Sequence, residues 1–154
     1  MSYRILGGTG IEVSAYCLGT MMFGADGNRD HDECIQIIHA ALDRGINFVD
    51  TADMYGGPGG ETEQIVGKAL EGRRDDVVLA TKVHFPMGEG RNRGGNSRSW
   101  IMYEVEQSLR RLQTDWIACS GVHDRAPGRD LGHHRPADHE SADRPAGRRV
   151  AGPR

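Results

Sequence analysis

The chain is short of the features that define several large classes of protein. Aromatic residues make up 6% of its 154 residues, and it has only three cysteines. No run approaches the roughly 18 consecutive apolar residues of a membrane-spanning helix, and the first residues lack the apolar segment of a secretory signal peptide. A net charge of -3 gives no general reason to expect nucleic acid or an anionic membrane as partner. These shortages favour a soluble cytoplasmic protein.

The cysteines and histidines do not predict a metal site. The cysteines are odd in number and have no metal-binding or redox spacing, which is typical of reduced cytoplasmic thiols; they are Cys17, Cys34 and Cys119. A group of histidines near the carboxyl end could be interpreted as metal ligands, but nothing around it would orient them, which favours exposed side chains. That group is His133, His134 and His139. Arginines and acidic residues are mixed there, so nucleic-acid binding is not predicted.

Short apolar segments alternate with amphipathic ones over most of the chain. A hairpin with a glycine turn is predicted at residues 3–13. The predicted strands are 15–19, 46–50, 77–82 and a fourth that starts at Trp116. Helices are predicted after Asp30, from about Glu61 to Leu70, and after Ser97. Strands that alternate with helices in this way specify βαβ units and a parallel sheet.

Local signals predict where the helices begin, end and pack. Asp30 and Glu33 form a capping-box-like start for the first helix, and Gly45 suits its end. The second helix is expected to bury Ile65, Val66, Ala69 and Leu70. The third is predicted to carry one apolar face at helical spacing, made of Ile101, Met102, Val105, Leu109 and Leu112.

Residues 46–56 are the most informative stretch of the chain. An apolar run ends at the carboxylate of Asp50, and Tyr55 follows five residues later in a glycine-rich loop. The next apolar strand ends with Thr81 and Lys82, one of only two lysines. Polar residues at the carboxyl ends of parallel barrel strands face the active site. An aspartate in this position is by itself more often a cap or turn residue, but the joint pattern favours a catalytic rim.

These residues closely resemble the aldo-keto reductase signature, and the resemblance covers about residues 1–117. A complete barrel of that family's type needs about 250 residues. The resemblance therefore implies an α/β fold that is a partial (β/α)8 TIM-type barrel, with the first three to four βα units. It also implies an NADPH-dependent oxidoreductase that reduces aldehydes or ketones to alcohols by hydride transfer.

The resemblance implies a role for each site residue. Tyr55 would give the proton to the carbonyl oxygen. Because a phenol has a pKa near 10, the cation of Lys82 would be needed to make that proton easier to release. Asp50 would pair with Lys82 and adjoin the cofactor. The loop Gly19, Thr20 and Met21 resembles the family's segment against the nicotinamide, with a plain turn as the alternative. No dinucleotide or Walker fingerprint occurs.

His123 is the fourth catalytic residue that the resemblance implies, in the role of orienting the carbonyl. In the family, a segment like residues 114–117 continues into an acidic, aliphatic and aromatic strand that ends in histidine. Here residues 118–121 replace that strand, and His123 falls at about the expected distance. Four histidines lie between 118 and 154, so positional coincidence is the alternative.

The composition changes after residue 117. Residues 118–154 contain no aromatic residue, isoleucine, methionine or lysine, which leaves too little apolar surface to offset the entropy of ordering them. We therefore expect a partial barrel over 1–117 and a disordered tail over 118–154. Half a barrel would leave an open sheet edge that favours self-association. The alternative to an active reductase is a truncated, catalytically inactive remnant of the family.

Overall fold

The fold is a hairpin followed by a parallel sheet with its helices, seen in a computed structural model that describes residues 1–122, with side chains through 118. The hairpin strands are β1 (Tyr3–Ile5) and β2 (Glu12–Ser14). The sheet strands are β3 (Leu18–Gly19), β4 (Phe48–Asp50), β5 (Val78–Val83) and β6 (Cys119–Val122). The helices are α1 (His31–Asp43), α2 (Glu61–Ala69) and α3 (Arg98–Arg111). The predicted α/β fold is confirmed.

The four sheet strands lie side by side in sequence order and run parallel. Right-handed crossovers between such neighbours place every connecting helix on the same face. The described residues therefore form one arc of a barrel wall, with helices outside. The register aligns Gly19 with Asp50 and Asp50 with Ala80, so the carboxyl ends of β3 and β4 meet beside β5.

The hydrophobic core lies between the helices and the outer face of the sheet. Val49 and Leu79 are fully buried there, and Ile38 of α1 and Val66 of α2 pack in the same cluster. The four residues predicted to be buried on α2 are each at most 2% exposed. Because alternate strand residues point to opposite faces, the neighbours of Val49 project to the inner side, and Asp50 is one of them.

The ends of α1 follow the sequence signals. The Asp30 side chain accepts a hydrogen bond from the Glu33 N–H at 3.0 Å, which confirms the predicted start. In a capping box the Glu33 side chain would accept the Asp30 N–H. Here Asn28 Oδ1 accepts that N–H instead, at 3.0 Å. Gly45 has a φ of 86° and ends the helix as predicted, because only glycine adopts that conformation without strain.

The predicted apolar face of α3 is only partly buried. Met102 is 52% exposed, and the buried positions within the helix are Trp100, Glu104 and Ser108. Polar groups can occupy this face because Arg111 donates hydrogen bonds to both Glu104 and Ser108, at 2.6 and 3.1 Å. Of the predicted stripe, only Leu112, just after the helix, is fully buried.

The structured part of the chain continues past the boundary expected at residue 117. Strand β6 starts at Cys119 and pairs in parallel with β5 over four residues, ending at Val122. The fourth strand therefore lies slightly later than predicted, in residues that the composition assigned to a disordered tail. Pairing with β5 stabilises these residues as a strand, although small residues such as Ser120 and Gly121 have a low strand propensity of their own.

The hairpin packs against the amino end of the sheet. Asn47, just before β4, accepts a hydrogen bond from the Ser14 N–H at 2.7 Å and donates to the Glu12 carbonyl at 3.0 Å. The Tyr3 hydroxyl donates to the Gly45 carbonyl at 2.9 Å. Within residues 1–122, no helix has the length and apolar character needed to cross a membrane.

Candidate active site

Lys82 lies at the centre of a polar cluster at the carboxyl end of the sheet. Its ammonium donates to Asp50 Oδ2 at 2.5 Å and to the Thr51 carbonyl at 2.9 Å. The Tyr55 hydroxyl lies 3.5 Å from the same nitrogen. The Lys82 side chain is 19% exposed and that of Asp50 is 33% exposed. The structure thus brings together three of the four predicted catalytic side chains in one place open to solvent.

The loop that carries Tyr55, residues 53–60, is fixed to the sheet by its backbone. The Asp53 N–H donates to the Lys82 carbonyl at 3.0 Å, and just before it the Thr51 N–H donates to the Ala80 carbonyl at 2.9 Å. These bonds continue the β4–β5 ladder beyond the end of β4. The Tyr55 loop therefore starts in register with the strand that supplies Lys82.

The outer side of the Tyr55 loop is fixed by the preceding βα loop. Gly56 N–H donates to Asp26 Oδ2 at 2.9 Å, and Ala25 N–H donates to Glu61 Oε2 at 2.8 Å. Glu61 also pairs with His31 at 2.7 Å, and this hydrogen bond holds the pKa of Glu61 below its usual value. Two loops at the carboxyl end of the sheet are thus joined at the rim of the site.

A buried ionic network lies behind the strand end. The Thr81 hydroxyl donates to Glu63 Oε1 at 2.5 Å, and Arg111 Nε donates to Glu63 Oε2 at 2.6 Å. Arg111 Nη2 also donates to Glu104 at 2.6 Å. Burial works against the charge of Arg111, but the two carboxylates outweigh it, so its pKa lies above the ordinary value. The sequence did not predict this network, because no local pattern relates its members.

Cys17 is a further side chain close to the cluster that the sequence analysis did not connect with it. The residue is exposed, but its thiol is partly shielded. This desolvation, with the carboxylate of Asp50, raises the pKa of the Cys17 thiol to about 11, although Lys82 acts in the opposite direction. The group is therefore a neutral thiol at neutral pH and not a nucleophile.

The predicted cofactor segment lies beside Asp50. A Cβ added at Gly19 would meet no atom within 4 Å, so open space adjoins the strand end there. Thr20 is fully buried, and its hydroxyl donates to the Asp50 carbonyl at 3.1 Å, which ties the loop to β4. Met21 is 52% exposed. The side chain available to a bound molecule in this segment is therefore that of Met21.

Two sets of predicted residues lie outside the described part of the chain. His123 is the residue immediately after it, and the histidines at 133, 134 and 139 lie further on. Among the described residues, no group of three or more His, Cys, Asp or Glu side chains could hold a metal ion.

Comparison with known protein families gives a match over most of the chain. The profile of the aldo/keto reductase family matches residues 15–130. The chain belongs to the aldo/keto reductase family. The match includes the whole Asp50, Tyr55 and Lys82 cluster, and it runs past the boundary expected at residue 117.

Several individual relatives support the same assignment. The Bacillus subtilis aldo-keto reductase YhdN is 44% identical over 127 residues, which cover 80% of this chain and 38% of YhdN. The uncharacterized oxidoreductase YrpG of the same organism is 45% identical over 132 residues, covering 80% of this chain and 40% of YrpG. This aldo/keto reductase chain thus spans about two fifths of the length of these relatives.

A solved structure confirms the partial-barrel fold. An aldo-keto reductase from Bacillus halodurans, in its holo form, superposes with a TM-score of 0.70 at 40% identity. The aligned region covers 80% of this chain and 40% of that one. The described residues of this family member therefore form a part of the barrel, with the Lys82 cluster at the carboxyl ends of its strands.

Proposed function

We propose that the chain carries the proton-donating half of a carbonyl reductase site, acting on aldehydes or ketones with NADPH. The observation that supports this most is the Lys82 ammonium placed between Asp50 at 2.5 Å and the Tyr55 hydroxyl at 3.5 Å. A phenol next to a partly buried cation is an acid that can give up its proton to a developing alkoxide. Family membership supports the nicotinamide cofactor, and the choice of NADPH over NADH is part of the proposal.

Each residue has a distinct task in the proposed reaction. NADPH, when bound, would supply the hydride for the carbonyl carbon, and uptake of a proton by the carbonyl oxygen would complete the conversion to alcohol and NADP⁺. Tyr55 donates that proton, and the cation of Lys82 stabilises the phenolate that remains. Asp50 accepts the hydrogen bond that keeps Lys82 in position. Water then returns a proton to Tyr55.

Open space beside the cluster supports a proposal about the nicotinamide ring. Gly19 has no side chain, and the open space beside it adjoins Asp50 at the strand end. Met21 offers an exposed apolar side chain to one face of such a ring. We propose that Gly19, Met21 and Asp50 contact the nicotinamide end of the cofactor, while Thr20 holds their loop through its bond to the Asp50 carbonyl.

The open sheet supports a proposal about assembly. Among residues 1–122, β3 and β6 each have a single neighbour, so the four-stranded sheet has an edge on both sides. Parallel sheets are normally covered on both faces, and open edges favour pairing with another chain. We propose that the chain self-associates through these edges, which sedimentation at several protein concentrations would test.

We also propose a cytoplasmic location, which the free thiols of Cys17 and Cys34 support.

The test is NADPH oxidation by the purified chain in the presence of 4-nitrobenzaldehyde. We expect Tyr55→Phe to lower kcat by about 100- to 10,000-fold, the range for loss of a general acid. Tyr103→Phe is the matched control, since Tyr103 is an exposed tyrosine on α3. Parallel assays with NADH decide the cofactor preference. A folded chain that never oxidises NADPH would favour the inactive remnant, and turnover that survives Tyr55→Phe would overturn the proposed role of Tyr55.

A further inference from the structure

Three acidic side chains and one cation are buried together beneath the Tyr55 loop. Asp53, Glu63 and Glu104 are each at most 1% exposed, and the Arg111 side chain is 16% exposed. Arg111 pairs with Glu63 and Glu104 at 2.6 Å each. If all four groups were ionised, this enclosed region would carry two uncompensated negative charges. Charges buried without a partner are strongly disfavoured, so one of the carboxyl groups must hold a proton.

Hydrogen bonding identifies the acid that lacks a counter-ion. Glu63 accepts from both Thr81 and Arg111, and Glu104 accepts from Arg111. By contrast, Asp53 Oδ2 is buried and has no hydrogen-bond partner among the described residues. A neutral carboxyl group tolerates that position far better than a carboxylate.

We propose that Asp53 is a protonated positioning residue, whose neutral side chain keeps the Tyr55 loop seated on Arg111 and so holds Tyr55 beside Lys82. The proposal rests on the proposed reductase function for its catalytic consequence but not for the protonation itself. Asp53 touches no reacting atom. It acts through the loop, because Tyr55 follows it by two residues.

The close packing under the loop supports this role. A Cβ added at Gly60 would lie 2.4 Å from Arg111 Nε and 3.0 Å from the Asp53 carbonyl oxygen, so the loop rests directly on the guanidinium group. At the other side, the Asp53 N–H is bonded to the Lys82 carbonyl. A charged Asp53 would need water or a cation, and the loop could admit water only by leaving this surface.

The groups around Asp53 together favour its protonated form. Burial raises the pKa of Asp53 to about 7, and the carboxylates of Glu104 on α3 and Glu63 on α2 add to the rise. The Met54 N–H and the Arg111 guanidinium oppose it only in part. From β5 the contact is the Lys82 backbone carbonyl. Asp53 would therefore lose its proton in the neutral to mildly alkaline range.

The first experiment needs neither cofactor nor substrate. Amide hydrogen exchange of residues 53–60, corrected for the intrinsic pH effect, is measured in the wild type and in Asp53→Asn. We expect wild-type opening of this loop to increase by up to about tenfold per pH unit between the ordinary pKa of Asp53, 3.8, and its pKa of about 7 in the closed loop, and to level off above that. Asp53→Asn, a neutral mimic of the protonated acid, should show no such increase.

A control variant and a second measurement show whether the pH dependence of loop opening comes from Asp53. Asp32→Asn removes a charge from a side chain that is 84% exposed, and it should retain the wild-type pH dependence. If Asp53→Asn does not fold, infrared spectroscopy of the wild type still decides, since a protonated carboxyl band should disappear with a midpoint near the pH at which loop opening levels off. Loop exchange without this pH dependence, or the absence of the band at mildly acidic pH, would overturn the proposal.

The catalytic consequence is read separately, from kcat for NADPH-dependent reduction of 4-nitrobenzaldehyde against pH. We expect wild-type kcat to fall as the pH rises toward the value at which the exchange curve levels off, and Asp53→Asn to keep its kcat over that range with KM unchanged. A loss that persists in Asp53→Asn overturns the positioning role. A chain with the exchange and infrared signatures but no turnover fails the proposed function and leaves the protonation of Asp53 supported.

Discussion

Thr81 and Lys82 are consecutive residues whose side chains leave opposite faces of β5 and are each held by a carboxylate. Thr81 donates to the buried Glu63 at 2.5 Å, and Lys82 donates to the half-buried Asp50 at 2.5 Å. The strand end is therefore fixed from the helix side and from the site side at once. The position of the proposed catalytic cation depends on both contacts.

The helix-side contact can be tested with Thr81→Val, which keeps the shape of the side chain and removes the hydroxyl. Glu63 Oε1 would then lose the Thr81 donor in a buried position. We expect the free energy of unfolding to fall by about 1–3 kcal/mol, measured by urea denaturation. Thr81→Ser retains the hydroxyl and should lose less. Equal stability of Thr81→Val and the wild type would show that the bond is energetically neutral.

The contact between α2 and the end of α3 can be tested at Gly67. An alanine within a helix is normally more stable than glycine by about 1 kcal/mol. Here the added Cβ would lie 2.7 Å from the Arg111 carbonyl oxygen and from the Leu112 carbonyl carbon. We therefore expect Gly67→Ala to lower the thermal midpoint. Gly59→Ala, where a Cβ meets nothing within 4 Å, is the control, and a stabilised Gly67→Ala would contradict the close approach.

The electrostatic field at the site can be tested with the Cys17 thiol. Desolvation and Asp50 raise its pKa to about 11, so its alkylation rate should go on increasing with pH beyond the range of an ordinary thiol. Asp50→Asn removes one of the groups that raise the pKa, so we expect faster alkylation by iodoacetamide at a fixed pH. Peptide mass spectrometry measures the rate at this residue alone. Asp32→Asn should leave the rate unchanged.

The pH dependence of stability should report the state of Asp53. Its pKa is about 7 in the folded chain against an ordinary value of 3.8, so the folded state binds the proton more tightly. The contribution of Asp53 to stability is therefore greatest below its unfolded pKa and is lost as pH rises through the folded one. Urea unfolding should show Asp53→Asn gaining stability relative to the wild type over this window, on the order of a few kcal/mol, and no further above it. A constant difference would contradict the raised pKa.

The sequence was sufficient to predict those parts of the site that depend on local pattern. An apolar run that ends in a polar residue marks the end of a strand, and Asp50 is the last residue of β4 while Lys82 is the last but one of β5. Tyr55 follows Asp50 closely enough for the loop to return it to the same place. Helix starts at Asp30 and Ser97 were likewise predictable, because each cap bonds an amide three residues on.

The parts that could not be predicted depend on contacts between distant segments. Arg111 and Glu63 are 48 positions apart, and no periodicity relates them. The apolar stripe of α3 was a sound local signal, but the buried ion pair with Glu104 decided which face turned inward. The start of β6 was predicted three residues too early for the same reason, because its residues gain order from β5 rather than from their own propensity.

The hairpin at the amino end of the sheet has a practical consequence for experiments. Asn47 joins it to the start of β4 through Ser14 and Glu12, at the opposite end of that strand from Asp50. A tag or surface linker attached before Met1 therefore emerges on the side away from the Lys82 cluster. Immobilisation through that end should leave the proposed binding surface facing solution, with the rim formed by the loops of Asp26 and Tyr55 unobstructed.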